Sequence, residues 1–460
     1  MIKISALEIS QLVDGKYQGD QDLIIDGEVH FDSREVERGS IFIALKGESQ
    51  DGHDFVESAL KNGAVLSIVN RTVPGNHIVV KDVMVAIAKL ASEIRRRLKN
   101  TKFIAITGSQ GKTTTKDLLY SILSGRGESV APVGSYNNDL GVPITILRCK
   151  ESTQFCVLEM GARHLGDIAH LTEIANPDVG VVLKVGTAHL GEFGSREKIA
   201  ETKGELIRGL RSDAVAVLGT YDEFTPKMSR NLALKTLTFG ELPGCSVRAA
   251  DLELHGGFPA FDLVTPESRE HVELQMLGMH QVPNALAAAA AAYAVGISTS
   301  DIAASLSTHQ SSSRWRMELS EIDGITLIND TYNASPESVE AALRTLVLVT
   351  QERGGNSWAL LGRMHELGDE SELMHREIGI LAGELRIDHL VVIGERSYIS
   401  TKINPATSVH FYQDQSKAEE LFNRFESGDV ILVKASRAEH LEITAEKILT
   451  TWRARMGVDL

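Results

Sequence analysis

The stretch Gly108-Ser109-Gln110-Gly111-Lys112-Thr113-Thr114 has the residue types and spacing to hold a phosphate chain. Its glycines let backbone N–H groups approach phosphate oxygens, Lys112 supplies a cation, and the Thr113 hydroxyl can sit on a magnesium ion. A full G-x-x-x-x-G-K-T loop wants glycine six residues before the lysine, and Ile106 stands there instead. The shorter T-G-x-x-G-K-T-T is informative only between a strand and a helix. Both are expected. Phe103–Ile106 is an apolar run of strand length, and Leu118, Leu119, Ile122 and Leu123 share one helical face before a stop at Gly125.

Two further strand ends carry polar chemistry. The run 155–158 ends on Glu159, and the run 179–185 leads into Gly186, Thr187, Ala188 and His189. Ligands of open parallel sheets bind beyond the carboxyl ends of strands. Glu159 and His189 are therefore expected beside the phosphates, where magnesium must be held.

Lys203 lies four residues after Ile199 and shortly before Leu206 and Ile207, so helical spacing over 196–210 turns it toward the apolar side. A buried ammonium is paired or loses its proton, and a neutral amine can take up carbon dioxide as a carbamate, an anion able to ligate magnesium. The competing reading is a lysine whose stem covers apolar surface while its head reaches water. Asn284 opens an alanine-rich helix, either as its cap or with its amide presented to a base.

These residues need elements to hold them. The chain has 460 residues, 43% hydrophobic and 24% charged, which suggests about three domains. The expected fold class is α/β. A small α/β unit spans 1–99, a central phosphate-loop unit 100–312, and a doubly wound, Rossmann-like unit 313–460. The first unit has strands over 29–31, 41–45, 65–69 and 78–80, with helices over 53–62 and through Ile87, Leu90, Ile94 and Leu98. Its loops hold Asp32-Ser33-Arg34, Lys46-Gly47 and Asp51-Gly52-His53, which suit an anionic or polyhydroxyl ligand or are solvated turns. A serine run, Ser311–Ser313, reads as a hinge. The last unit alternates strand and helix four times, with strands over 325–329, 358–361, 390–393 and 430–433. Its first helix opens on Ser335-Pro336 and buries Val339, Ala342, Leu343 and Leu346.

Composition excludes some partners. The net charge of −15, with no basic block, argues against nucleic acid or an anionic membrane surface. Arg95-Arg96-Arg97 reads as a solvated helix face. Cys149, Cys156 and Cys245 show no metal or disulfide spacing, which fits a reducing cytoplasm. The N-terminus lacks a signal-peptide apolar region, and the longest apolar tract, 285–297, is too short to span a bilayer.

Five segments carry a family resemblance: FDSREVERGSIFIALKGESQDGHDF, YNNDLGVPITIL, NDTYNASPESVEAAL, LGRMHELGDES and LVKASRAEHLE. With the phosphate loop, they resemble the Mur ligases, the ATP-dependent amide-forming enzymes of peptidoglycan assembly, over nearly the whole length. The resemblance is strongest to those members that add D-alanyl-D-alanine to UDP-N-acetylmuramoyl-tripeptide. It implies an acyl-phosphate ligase with ATP and magnesium, working as a cytoplasmic monomer.

By that resemblance, residues 108–114 bind the ATP phosphates, and Thr113, Glu159, His189 and a carbamylated Lys203 hold magnesium. Asn284 and Asp330 contact adenosine, with Asn333 nearby. Arg316 reaches the γ-phosphate. Ser33 and Arg34 bind the UDP-sugar end, and Asn137 and Asn138 line the central cleft. Arg363, Ala435 and Gln281 depart from the usual acidic residue, glycine and asparagine. The alternatives are another amide ligase of the superfamily, such as the third-residue-adding ligase or folylpolyglutamate synthase, a phosphate-loop NTPase switch, and a UDP-peptide binder without turnover.

Overall fold

The computed structural model describes residues 1–47, 50–188, 190–310 and 313–456. Three large sheets of distinct topology, with one two-stranded pair, divide the chain in sequence order.

The first sheet has five strands in the order Lys16–Gln18, His77–Val79, Leu66–Val69, Ile41–Ile43 and Val29–His30. Only the Lys16–Gln18 edge is antiparallel. A short pair, Ile4–Ser5 with Ile24–Ile25, stands beside it. The helix Val83–Arg97 starts at Asp82, whose carboxylate accepts the N–H groups of Met84 and Val85. Its buried face, Ile87, Leu90 and Ile94, joins one apolar cluster with Val142, Ile146 and Leu171 of the central unit. The two units thus share a core.

The arginine run on this helix is not a solvated face throughout. Arg95 is only 7% exposed. Its guanidinium lies 4.2 Å from the Phe103 ring centroid, donates to Ala175 O at 2.9 Å and pairs with Asp178 at 3.0 Å. Arg96 and Arg97 remain on the outside, held to Glu93. Only Arg95 continues the inward line through Ile87 and Ala91, so one residue in three turns into the core.

The central sheet has nine strands. Their order is Arg269–Glu273, Phe258–Val264, Val247–His255, Lys235–Gly240, Val215–Gly219, Val179–Val182, Lys102–Thr107, Phe155–Glu159 and Ser129–Val130. Lys102–Thr107 lies between Phe155–Glu159 and Val179–Val182, parallel to both. The phosphate loop and Glu159 therefore emerge from neighbouring strand ends. The Val179 strand closes at Val182, three residues earlier than its apolar run; Leu183 and Lys184 line the cleft, and Val185 is buried with Phe193 and Ile199. The helix Gln281–Ala294 buries Ala285 to Ala292 completely. Alanine is what this spot requires, since the helix packs tightly against the sheet and against the helix Lys112–Ser124.

The third sheet has six strands: Glu318–Ile322, Ile325–Asp330, Val430–Lys434, Ser357–Leu361, His389–Ile393 and Ser408–Tyr412. Four match the expected alternation. The other two extend it at both edges. Glu318–Ile322 is antiparallel to its neighbour through a tight turn at Asp323 and Gly324, both with positive φ. Helices such as Pro336–Arg353 and Glu442–Met456 cover opposite faces, with separate apolar clusters on the two sides of the sheet. Of the expected serine hinge, Ser311 and Ser312 lie outside the described residues. Ser313 donates to Asp117 of the central unit.

Candidate active site

The phosphate loop is shaped by one residue that must be glycine. Gly111 has φ +81°, and a Cβ there would stand 2.1 Å from Asn284 Oδ1. Gly111 is also the N-cap position of the helix Lys112–Ser124, so the helix's free N–H groups open toward the loop. Lys112 folds back, and its ammonium donates to Gly108 O at 2.9 Å. Burial pushes its pKa down, with the Glu159 charge opposing and the Arg316 charge adding to the fall.

Beyond the loop, a set of polar side chains converges from the central and C-terminal units. Thr113 Oγ1 donates to Glu159 Oε2 at 3.0 Å, and Asn137 Nδ2 donates to Glu159 Oε1 at 2.9 Å. The Arg316 guanidinium donates to Thr113 Oγ1 at 3.0 Å and Ser135 Oγ at 3.3 Å, and stacks 3.9 Å from the Tyr332 ring centroid. Tyr332 OH donates to Ser135 Oγ at 2.9 Å. Arg316 is flanked by Trp315 and Met317, both at positive φ, which turns its side chain from the C-terminal sheet into the cleft.

These groups line a cleft of about 500 Å³ between the central and C-terminal units. Ser109, Gln110, Gly111, Lys112, Thr113 and Thr114 form its floor, and Glu159 and Asn137 one wall. Asn284, Gln281, His280, Tyr221 and Phe239 form the other, with Asp330, Asn333, Lys434 and Arg316 as the roof. Asn284 is not a helix cap. The helix begins at Gln281, so Asn284 lies inside the first turn, its amide donating to His280 O at 3.2 Å and Gln281 Oε1 at 3.0 Å. Burial pushes the neighbouring His280 imidazole down to about 4, so it stays neutral.

Other candidates among the described residues are not part of the cleft lining. Lys203 is 5% exposed on the helix Arg196–Arg208, beside Ile199, Leu206 and Ile207. Burial, helped by the Lys112 charge, pushes it down to about 7. At 5% exposure the reading of a lysine with its head in water does not hold, and among the described residues no carboxylate pairs with it. His189 lies outside the described residues. Asn138 does not face the cleft; its Oδ1 accepts from Gly141 N at 3.0 Å at the start of the helix Gly141–Leu147. Ser33 and Arg34 belong to the first unit. Ser33 is buried, with its carbonyl accepting from Asn62 Nδ2 at 2.8 Å. Arg34 is largely in solvent, and its hydrogen bonds hold the Asp32 carboxyl down at about 2. The Asp51-Gly52-His53 turn is structural. The His53 ring nitrogens are spent on Asp51 Oδ1 at 2.6 Å and Asn70 N at 3.2 Å.

Sequence reasoning missed Ser135, Tyr332, Glu337 and Lys434. Lys434 ends a buried strand, as Glu159 does, and its ammonium pairs with Asp330 and donates to Asn333 O at 2.9 Å. The strand-end rule would have found it. Of the three departures, Arg363 pairs with Glu395 at 2.9 Å, and Gln281 holds Asn284. Ala435 is buried where its methyl faces Gly362, whose own missing side chain makes the room.

Three family models match in chain order: "Mur ligase family, catalytic domain" over 28–96, "Mur ligase middle domain" over 106–292 and "Mur ligase, glutamate ligase domain" over 315–437. A curated relative from Mycobacterium tuberculosis, UDP-N-acetylmuramoyl-tripeptide–D-alanyl-D-alanine ligase, is 37% identical over 98% of each chain. The chain belongs to the Mur ligase family.

Solved structures agree with this placement of the Mur ligase described here. MurF from Acinetobacter baumannii superposes with a TM-score of 0.88 at 34% identity, covering 97% of this chain and 99% of that one. MurF from Thermotoga maritima, solved in complex with ADP, has a TM-score of 0.80 at 32% identity, covering 93% and 98%. No helix among the described residues is long and apolar enough to cross a membrane.

Proposed function

We propose that this Mur ligase joins D-alanyl-D-alanine to UDP-N-acetylmuramoyl-tripeptide, using ATP and an acyl phosphate. The observation that carries the reading is the cleft. It sets a phosphate loop, a buried carboxylate and an arginine from another unit around one volume, in a chain matched end to end by ligases of that name.

A carboxylate is a poor acyl donor because its leaving group would be oxide. Attack by a carboxylate oxygen on the γ-phosphorus of ATP expels ADP and leaves an acyl phosphate. The amine then attacks the acyl carbon, loses a proton, and phosphate departs with the bonding pair. This chain's part is position and charge. The loop N–H groups and Lys112 hold the phosphate oxygens, with Gly108, Ser109, Gln110 and Thr114 shaping the loop. Arg316 faces the γ-phosphate, and its present hold on Thr113 and Ser135 keeps it beside that position. Asn284 and Asp330 take the adenosine, with Asn333 fixed through Lys434. The first unit, with Ser33 and Arg34, takes the UDP-sugar end, and Asn137 and Asn138 border the path from it to the cleft.

Magnesium fits the residues present. Thr113 Oγ1 and the Glu159 carboxylate put two hard oxygens, one anionic, 3.0 Å apart beside the loop. A nucleotide-bound magnesium needs few protein ligands because the phosphates supply others. Glu159 and Thr113 would hold it, with His189 and a carbamylated Lys203 as its further ligands. When bound it would neutralise the phosphates.

The test is phosphate release with each component omitted in turn. Release is expected only when ATP, the UDP-tripeptide and D-alanyl-D-alanine are all present. Full-rate release with ATP alone would sink the ligase reading. Running the diaminopimelate and lysine tripeptides side by side identifies the third residue.

A further inference from the structure

We infer that Glu337 is a positioning residue that latches the C-terminal unit shut over the acyl phosphate; this rests on the ligase reading above. Glu337 stands in the first turn of the helix Pro336–Arg353. Its side chain leaves that helix and crosses to the central unit. Oε1 accepts from Thr187 N at 2.8 Å and from Thr187 Oγ1 at 2.8 Å. Oε2 accepts from Gln110 Nε2 at 2.9 Å. The same Gln110 amide donates to Ser335 Oγ at 2.8 Å.

Every donor to Glu337 here belongs to the central unit, and the acceptors belong to the C-terminal unit. The two anchors are not neutral places. Gln110 is part of the phosphate loop, and Thr187 belongs to the loop that follows the Val179–Val182 strand. One carboxylate thus ties the position of the C-terminal unit to two loops of the nucleotide cleft. Hydrogen bonds to a charged acceptor are stronger than neutral ones, and a carboxylate receiving three donors from two loops fixes direction as well as distance. Nothing in helix stability calls for this reach, because Ser335 and Ser338 already cap the helix reciprocally.

The consequence is chemical. An acyl phosphate open to water is lost when a water oxygen attacks the acyl carbon, phosphate leaves with the bonding pair, and the carboxylate returns unamidated. Closure excludes that water. Opening the latch should therefore spend ATP without making amide.

The experiment measures phosphate released per amide bond formed, with all three substrates present. The wild type is expected near one. Glu337→Ala is expected to raise the ratio about fivefold, with kcat for amide falling more than KM for ATP rises. Glu337→Gln should be intermediate, since its amide oxygen still accepts from Thr187 while its NH2 group faces that of Gln110. Gln110→Ala combined with Glu337→Ala should uncouple by less than the two single effects together, because the two residues share a contact. A wild type that makes no amide defeats the ligase reading. A coupled wild type with an equally coupled, folded Glu337→Ala overturns the latch alone, as does simple additivity of the two changes.

Discussion

Lys203 and Lys434 are equally well hidden, 5% and 2% exposed, yet their surroundings are opposite. Lys434 ends a strand of the C-terminal sheet with the Asp330 carboxylate and the Asn333 carbonyl on its ammonium. Lys203, on a helix of the central unit, has apolar neighbours and, among the described residues, no carboxylate. The first is a charge that the fold has answered. The second is an amine that burial pushes down to about 7. A buried lysine with a partner is held as a cation, and one without a partner becomes a nucleophile for carbon dioxide.

The largest expected effect breaks the comparison at its chemical end. Lys203→Ala should lower turnover on the order of 10²-fold, and formate or acetate should restore much of it by replacing the carbamate's charge. Lys112→Ala, which removes a cation beside the phosphates, should lose at least as much and gain nothing from added acid. Rescue of both variants by acid, or of neither, removes the distinction between them. Circular dichroism of each variant separates lost chemistry from lost fold.

Next in size is stability at the paired lysine. Lys434→Met takes the paired cation from the largely buried Asp330 carboxylate, at a cost of about 3 kcal/mol, while Lys203→Met removes no ion pair and should fall within about 1 kcal/mol of wild type. Urea midpoints for the two variants sharpen the contrast. Equal losses would mean that Lys203 has an unrecognised partner.

The smallest effect is a slope with pH. Folding lowers the Lys203 pKa from its ordinary 10.5 to about 7. Between those values the unfolded chain holds a proton that the folded chain has released, so stability rises with pH across that window and levels off below about 7. In buffer freed of carbon dioxide, the wild type should gain on Lys203→Met as pH climbs from 7 to 10. A difference independent of pH would contradict the depressed value.

The parts of the site legible in the sequence are those a single strand end delivers. The phosphate loop and Glu159 each follow an apolar run directly, so position along the chain predicts position in space. Asn137 was reached by resemblance, but Ser135 and Tyr332 meet across the unit boundary, and nothing local to either announces the other. Arg95 was misread because charge outweighed spacing; its place one turn past Ala91 was visible all along. The antiparallel edge at 247–273 also left a signal, two glycines between alternating segments, with Gly256 and Gly257 at φ +65° and +80° making the hairpin. The Glu337 contacts leave no such trace, since they exist only once two units have docked.

Gly111 bears on resistance to inhibitors. Any side chain there meets Asn284 Oδ1 and a backbone that L residues seldom adopt. Asn284 is in turn fixed by Gln281 and by the carbonyl of His280. A compound that presses on the Gly111 backbone touches a surface which no single substitution can reshape without displacing the opposite wall. Escape from such a compound has to come from elsewhere in the cleft lining, at side chains such as Tyr221 or Ser135, and a molecule that keeps clear of them closes the route.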